Sequence, residues 1–200
     1  MPTLENLLYL LPILLVGLPA HELAHAFVAN ALGDPTAKRA GRVTLNPLRH
    51  LDVIGTLVLV VSQAFGWAKP VPINPANFHY PRRDSLLVSA AGPVSNLLLA
   101  VAGSILLHSS LLAGSSDIVF RLMQVFIYVN IILFVFNMLP FPPLDGSHVL
   151  EALLPPGSLG FFRLIEPYGV LILFGVIIAF PQALSFVMSP LVGPIRTLLL

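Results

Sequence analysis

The 200-residue sequence contains no cysteine and very little charge. The absence of cysteine excludes disulfide bonds and thiolate metal sites, and it gives no information on the redox compartment. Only 10% of the residues are charged and 56% are hydrophobic, whereas soluble domains carry about 25% charged residues. Most of the surface therefore cannot face water. The formal net charge of +1 gives no reason to expect nucleic acid as a partner.

Long apolar runs predict an all-α multipass membrane protein, surrounded by lipid bilayer, that forms one domain over residues 1–200. A hydrocarbon core about 30 Å thick is crossed by about 20 apolar residues at about 1.5 Å each. Residues 5–32 are interpreted as a retained helix, because a signal peptide would begin with basic residues and the only charged side chain near the N-terminus is Glu5. The predicted core helices are 5–32, 85–107 and 118–154, and the predicted peripheral helices are 161–180 and 183–200.

Most of the basic residues lie between residues 33 and 83, on both sides of a short apolar run at 53–65. If that run crossed the membrane, the basic residues would be divided between two compartments, against the positive-inside tendency. We therefore predict a re-entrant segment at 53–65 and a cytoplasmic region at 33–83. The predicted location is a prokaryotic plasma membrane, with the functional site opening to the cytoplasm.

A short strand is predicted at the membrane surface over residues 41–46. This stretch alternates polar and apolar side chains, contains the β-branched residues Val43 and Thr44, and is bounded by Gly41 and Pro47. Such alternation between turn-forming residues is typical of a strand.

The sequence His21-Glu22-Leu23-Ala24-His25 lies within the first predicted helix. Histidines four residues apart project from one helix face and can share a tetrahedral cation, while Glu22 can act as a general base toward water. The alternative is three polar side chains on a wet helix face. A carboxylate near the centre of a helix in lipid costs ~2.5–3.5 kcal/mol, and one Zn²⁺ per chain gives a reason to tolerate it.

A catalytic zinc requires a third protein ligand and an open position. Val28 and Ala31 stand where a metzincin extension needs glycine and histidine, so that class is excluded. Most other acidic residues lie beside basic residues or near water, whereas Asp145 follows three prolines in an apolar segment. His21 and Asp145 also lie at similar predicted depths, roughly 15–18 Å from one membrane face. Asp145 is therefore the predicted third ligand, although it can also cap the following helix.

Two asparagines are further candidates. Asn96 stands on a helix face of small residues, where it contacts substrate or forms a hydrogen bond between helices. Asn137 precedes the proline-rich break before Asp145. It donates to the oxyanion of a tetrahedral intermediate or braces the broken backbone.

These motifs resemble the site-2 protease family of intramembrane metalloproteases. The resemblance rests on the His-Glu-x-x-His helix, on Asn-x-x-Pro-x-Pro-x-x-Asp-Gly at 137–146, and on the stretches at 91–96 and 66–75. It implies zinc ligands at His21, His25 and Asp145, Glu22 as the catalytic base, and cleavage of membrane proteins in or beside their transmembrane segments. A single-pass helix is the expected substrate.

A helical substrate must unwind before attack, and the strand predicted at 41–46 could hold it by edge pairing. Two rival functions are a metal transporter and an inactive zinc-binding scaffold. Against a transporter, the two halves of the chain show no repeat, and ion transport needs no glutamate beside the metal ligands. Nothing in the sequence indicates an oligomeric state.

Overall fold

The computed structural model describes residues 4–62, 66–112, 114–155 and 160–200. Ten α-helices occur in these ranges: α1 (Leu4–Pro12), α2 (Leu18–Ala31), α3 (Thr36–Arg39), α4 (Val53–Ser62), α5 (Pro81–Leu107), α6 (Asp117–Asn137), α7 (Asp145–Leu153), α8 (Gly160–Ile165), α9 (Gly169–Ala179) and α10 (Pro181–Leu199). Short 3-10 helices cover Pro47–Arg49, Pro75–Asn77, Ser110–Leu112 and Glu166–Tyr168. The predicted all-helical class is confirmed for this part of the chain.

Three helical stretches are long and apolar enough to cross a membrane: Leu8–Ala31, Pro81–Leu107 and Asp117–Asn137. Each corresponds to one of the predicted core segments. Many of their large apolar side chains face outward, including Phe27, Leu98 and Ile105, which are 61%, 63% and 69% exposed. Such exposure is costly in water but normal against lipid, where helices bury little apolar surface against one another.

The first of these stretches is not a uniform α-helix. A π-helical turn, Ile13–Gly17, joins α1 to α2. Pro19 follows it and has no backbone N–H to donate to the carbonyl four residues earlier, so a regular α-helical ladder cannot continue through this point. Turns of this kind are frequent at functional sites, and this one lies just before His21.

Helix α5 is the central element, because it packs against α2, α6 and α7. Ala100 of α5 and Ile127 and Ile131 of α6 are fully buried where α5 and α6 meet. A Cβ added at Gly103 would lie 2.9 Å from Ile127, so the absence of a side chain at this position permits the close approach. Small residues allow such contacts between membrane helices.

The strand predicted at residues 41–46 is wrong. These residues form a turn and bends, and the described chain contains a single isolated β-bridge, between Leu51 and Ala68, and no strand. The Arg42 side chain is buried, and its guanidinium donates to the Lys69 and Pro70 carbonyls. A tertiary contact of one side chain therefore overrides the alternating pattern.

The predicted core helix 118–154 is divided into two helices at the proline-rich break noted in the sequence. Helix α6 ends at Asn137 and α7 begins at Asp145, with turns between them. Prolines at 140, 142 and 143 lack the N–H groups that a continuous helix requires, which explains the break. Asp145 is thereby placed at the beginning of a new helix rather than inside a long one.

The two flanks of α4 lie side by side. The Lys69 amide donates to the His50 carbonyl at 2.7 Å, next to the bridge between Leu51 and Ala68. Helix α4 is apolar, but with 10 residues it is too short to span. The chain before α4 and the chain after it therefore meet, as in a hairpin. That α4 enters the bilayer stays a prediction.

The peripheral helices form a bent pair. Glu166–Ala179 and Gln182–Leu199 meet at 95°, and the pair counts as a fourth candidate span only if both parts are taken together. Helix α10 packs mainly against α6, and the Ser104 hydroxyl of α5 donates to the Leu199 carbonyl at 2.6 Å. The C-terminal helix is thereby held against the core helices.

Candidate metal centre

Three side chains from two helices converge at the middle of the bundle. His21 and His25 lie one turn apart on α2, and their Nε2 atoms are 3.1 Å apart. The Oδ2 atom of Asp145, at the first position of α7, lies 3.2 Å from His21 Nε2 and 3.4 Å from His25 Nε2. His21 and His25 are 7% and 6% exposed. Among the described residues, these three side chains form a cluster that could hold a metal ion.

The tautomer of each histidine is fixed by the partner of its other ring nitrogen. His25 Nδ1 lies 2.7 Å from the Val88 carbonyl oxygen, which can only accept, so Nδ1 carries the proton. His21 Nδ1 lies 2.7 Å from Asn96 Oδ1. In the neutral form of both rings Nε2 is therefore unprotonated and presents a lone pair to the centre, the form in which histidine binds metals.

Asp145 Oδ2 completes a cluster of three acceptors with no donor among them. Within the described part of the chain, no hydrogen-bond donor reaches this buried oxygen. Three lone pairs aimed at one point repel each other unless a cation lies between them. Tetrahedral ligands about 2.0–2.1 Å from Zn²⁺ would be ~3.3 Å apart, and the three distances here span 3.1 to 3.4 Å. The residues present therefore fit zinc.

Close backbone packing brings Asp145 and the histidines together. A Cβ added at Gly92 of α5 would contact His25 Nε2 and would lie 2.7 Å from His21 Cε1. A Cβ added at Gly146 would collide with the Met138 and Leu139 carbonyl oxygens. Glycine at these two positions lets α5 approach the imidazoles and lets α7 start directly beneath the end of α6.

Glu22 follows His21 on α2 and is 8% exposed. Its nearest described charge partner is Arg42, whose guanidinium nitrogen Nη2 lies 3.8 Å from Glu22 Oε2. Arg42 is itself held by the Lys69 and Pro70 carbonyls. The buried carboxylate is thereby connected to the segment that returns from α4.

Comparisons with known proteins agree with this geometry. Residues 103–176 match the model of peptidase family M50. The chain is 44% identical over 191 residues to "Putative zinc metalloprotease YwhC" of Bacillus subtilis, covering 92% of this chain and 86% of that protein. The chain belongs to peptidase family M50. This M50 protein is also 32% identical over 163 residues to "Putative zinc metalloprotease Rip2" of Mycolicibacterium smegmatis, covering 79% of this chain and 62% of the relative. No solved structure matches.

Family membership confirms the resemblance to site-2 proteases and identifies this M50 protein as a zinc metalloprotease that is integral to a membrane. It also confirms the predicted zinc cofactor, for which the cluster of His21, His25 and Asp145 is the matching donor set. The family model covers Asp145 but not the two histidines. The individual roles of these residues stay predictions, supported by their convergence.

The two asparagines singled out in the sequence occupy different places. Asn96 is fully buried, and its amide is engaged with His21, Asn130 and the Gly17 carbonyl. This geometry provides the predicted hydrogen bond between helices, and a contact of Asn96 with substrate stays a prediction. Asn137 Nδ2 donates to the Leu133 carbonyl of its own helix at 2.9 Å, and its role toward an oxyanion stays a prediction.

Asn130 was missed in the sequence analysis. It lies in the middle of α6, is fully buried, and its Oδ1 accepts from Asn96 Nδ2 at 2.9 Å. The available signal was the one amide within residues 125–136, which are otherwise apolar or aromatic, since a polar side chain at membrane depth requires a partner.

A groove of about 520 Å³ lies beside the metal centre. Val88 lines it, and the carbonyl of the same residue accepts from His25. Val71 and Ile73 of the returning segment form one wall, and Ser85 and Ser89 of α5 form another. His148 and Glu151 of α7 also line it. The groove therefore lies between the segment that returns from α4 and two helices, α5 and α7, next to the metal centre.

Proposed function

We propose that this M50 protein is an intramembrane endopeptidase that hydrolyses peptide bonds in or near the transmembrane segments of membrane-protein substrates. One observation carries the proposal: His21 Nε2, His25 Nε2 and Asp145 Oδ2 converge as three acceptors inside a bundle of apolar helices, and a cation resolves their repulsion. A buried glutamate, Glu22, is adjacent in the chain and supplies the base that a transport site would not need.

In the proposed mechanism, His21, His25 and Asp145 would hold the zinc. When bound, zinc supplies a Lewis acid that polarises the scissile carbonyl and makes water more acidic. A Glu22 carboxylate oxygen takes the proton from the attacking water and then delivers it to the leaving amide nitrogen. Val88 and Asn96 orient the imidazoles throughout, because each accepts from a histidine Nδ1.

The groove beside Val88 is consistent with a polypeptide as the substrate. Its wall includes the extended segment at Val71 and Ile73, whose backbone groups can pair with an unwound chain, while the apolar side chains accommodate membrane-derived residues. A helical substrate hides its carbonyls in internal hydrogen bonds and must unwind before attack. The basic residues of the 33–83 region favour a groove that opens to the cytoplasm. A single-pass membrane protein is the simplest partner of this kind.

The decisive experiment incubates purified protein, reconstituted in vesicles, with single-pass membrane substrates, with and without a chelator. We expect cleavage that the chelator abolishes and zinc restores. Glu22→Gln is expected to retain about one zinc per chain and to lose cleavage, because the metal ligands remain and the base does not. His25→Ala is expected to lose both. Cleavage by the Glu22→Gln protein would refute the mechanism.

A further inference from the structure

We propose that Asn130, on the third membrane helix, is a positioning residue for the zinc ligand His21, acting through the amide of Asn96. The inference rests on the zinc site of the proposed function. Three buried side chains on three helices form one chain of hydrogen bonds: His21 Nδ1 to Asn96 Oδ1 at 2.7 Å, and Asn96 Nδ2 to Asn130 Oδ1 at 2.9 Å.

The orientation of the Asn130 amide follows from its own helix. Asn130 Nδ2 donates to the Phe126 carbonyl at 2.8 Å, one turn earlier on α6. A carbonyl can only accept, so the nitrogen of the Asn130 amide must face it and Oδ1 must face α5. The helix backbone thereby fixes which end of Asn130 meets Asn96.

Asn130 in turn fixes Asn96. If the Asn96 amide rotated by half a turn, its oxygen would face both Asn130 Oδ1 and the Gly17 carbonyl, which would place three acceptors together. In the observed orientation Asn96 Nδ2 donates to both, at 2.9 Å and 3.3 Å. Of the two, Asn130 is the closer acceptor and makes the stronger hydrogen bond.

The orientation of Asn96 determines the state of His21. Oδ1 of Asn96 faces His21 Nδ1, which therefore keeps its proton there and leaves Nε2 free for the metal. A rotated Asn96 would present N–H groups to His21 Nδ1 and favour the tautomer that is protonated at Nε2, which cannot bind zinc. Hydrogen-bond partners of metal-binding histidines typically change metal affinity by 10–100-fold.

The alternative is that Asn130 only joins two helices. Interhelical hydrogen bonds in membranes contribute modestly to stability, and the loss of one alone would lower stability without changing the zinc site. Ile131 is the matched control, because it is the next residue on α6 and is also fully buried in the packing against α5.

The test measures the zinc dissociation constant by competition with a chelator, and the absorption spectrum of the Co²⁺-substituted protein, for the whole chain in detergent. Asn130→Leu is expected to weaken zinc binding by about 10-fold and to alter the Co²⁺ spectrum. Ile131→Ala is expected to lower the thermal midpoint while it leaves both metal measurements unchanged. Asn130→Asp keeps an acceptor for Asn96 but loses the donor to the Phe126 carbonyl, so it is expected to weaken zinc binding less than Asn130→Leu does.

Equal zinc binding by wild type and Asn130→Leu would overturn the proposal, as would equal weakening by Asn130→Leu and Asn130→Asp. If Asn130→Leu does not fold, Asn130→Ala removes the same acceptor without adding bulk, and the same outcomes apply. Failure of the wild type to bind zinc, with no further loss in His21→Ala, would instead refute the proposed function itself.

Discussion

The guanidinium of Arg42 lies 3.8 Å from the Glu22 carboxylate and is almost completely buried. Burial lowers the pKa of Arg42, and the charge of Glu22 opposes that shift. The terminal nitrogens of the guanidinium also donate to two backbone carbonyls, Nη2 to that of Lys69 and Nη1 to that of Pro70. A residue outside the membrane helices therefore supplies the counter-charge of the proposed general base.

Arg42→Gln is expected to lower kcat by about tenfold, equivalent to about 1.4 kcal/mol of activation free energy, and to leave zinc content unchanged. The physical reason is that Glu22 loses its fixed cation and its anchored position. Arg42→Lys is expected to retain only part of the wild-type kcat, because an ammonium group lacks the planar set of donors with which a guanidinium reaches both the Lys69 and the Pro70 carbonyl. Kinetic assays and zinc analysis check this. Arg39→Gln, on the exposed end of α3, is the matched control, and an equal effect there would contradict the prediction.

Gly92→Ala is expected to weaken zinc binding by at least about tenfold. The added methyl group would contact His25 Nε2 and His21 Cε1, and overpacking of this kind costs ~1–3 kcal/mol. Chelator competition measures the effect. Gly175→Ala is the control, since a Cβ there meets nothing within 4 Å. Unchanged zinc affinity in Gly92→Ala would mean that the imidazoles can shift without loss of the site.

Asn137→Ala separates two roles. If Asn137 stabilises the oxyanion, turnover is expected to fall by ~10²–10³ with little change in substrate binding. If its hydrogen bond to the Leu133 carbonyl only braces the end of α6, zinc occupancy and thermal stability are expected to fall together. We expect the first outcome, and a zinc-poor, unstable variant would refute it. Steady-state kinetics and metal analysis on one preparation decide between them.

The ends of α4 are expected to face the same side of the membrane. Because the chain has no native cysteine, single cysteines can be introduced at exposed Arg39 and Lys69 and labelled with an impermeant thiol reagent. Both are expected to react from the cytoplasmic side, whereas Ser115→Cys, beyond the far end of α5, is expected to react from the opposite side. Labelling of Arg39→Cys and Lys69→Cys from different sides would overturn the hairpin.

Asp34 is expected to stabilise the loop region in a pH-dependent way. Burial by itself raises the pKa of Asp34, but hydrogen bonds from Thr36, Asn74 and Asn77 outweigh it and lower the pKa. Because the pKa of Asp34 is lower in the folded than in the unfolded protein, ionised Asp34 stabilises the fold at pH values above its unfolded pKa of about 3.9. This stabilisation is lost as the pH falls through the pKa of Asp34 in the folded protein.

The thermal midpoint of the wild type should therefore exceed that of Asp34→Asn by a constant amount at pH 5 to 7, and the difference should shrink below about pH 4. A difference that does not change down to pH 3 would show that the ionised form is not what the hydrogen bonds stabilise.

The pattern of the sequence determined the elements whose geometry is local. Residues four apart on a helix face the same way, so the placement of His21 and His25 followed from their spacing. Apolar length determined the three core segments, and the absence of N–H groups at prolines predicted the break before Asp145. The wrong prediction, a strand at 41–46, came from an equally local pattern that the burial of Arg42 overrides.

The tertiary structure alone decided which way the amides face and which glycines are in contact. The relation of Asn130 to Asn96, and of Gly92 to His25, depends on the rotation of α5 and α6 about their axes and on their separation. Neither quantity is fixed by the residues of a single helix, because in lipid every face of an apolar helix is nearly equal in hydrophobicity. Side-chain packing and a few buried hydrogen bonds favour one arrangement of the helices, and in that arrangement the three metal ligands lie together.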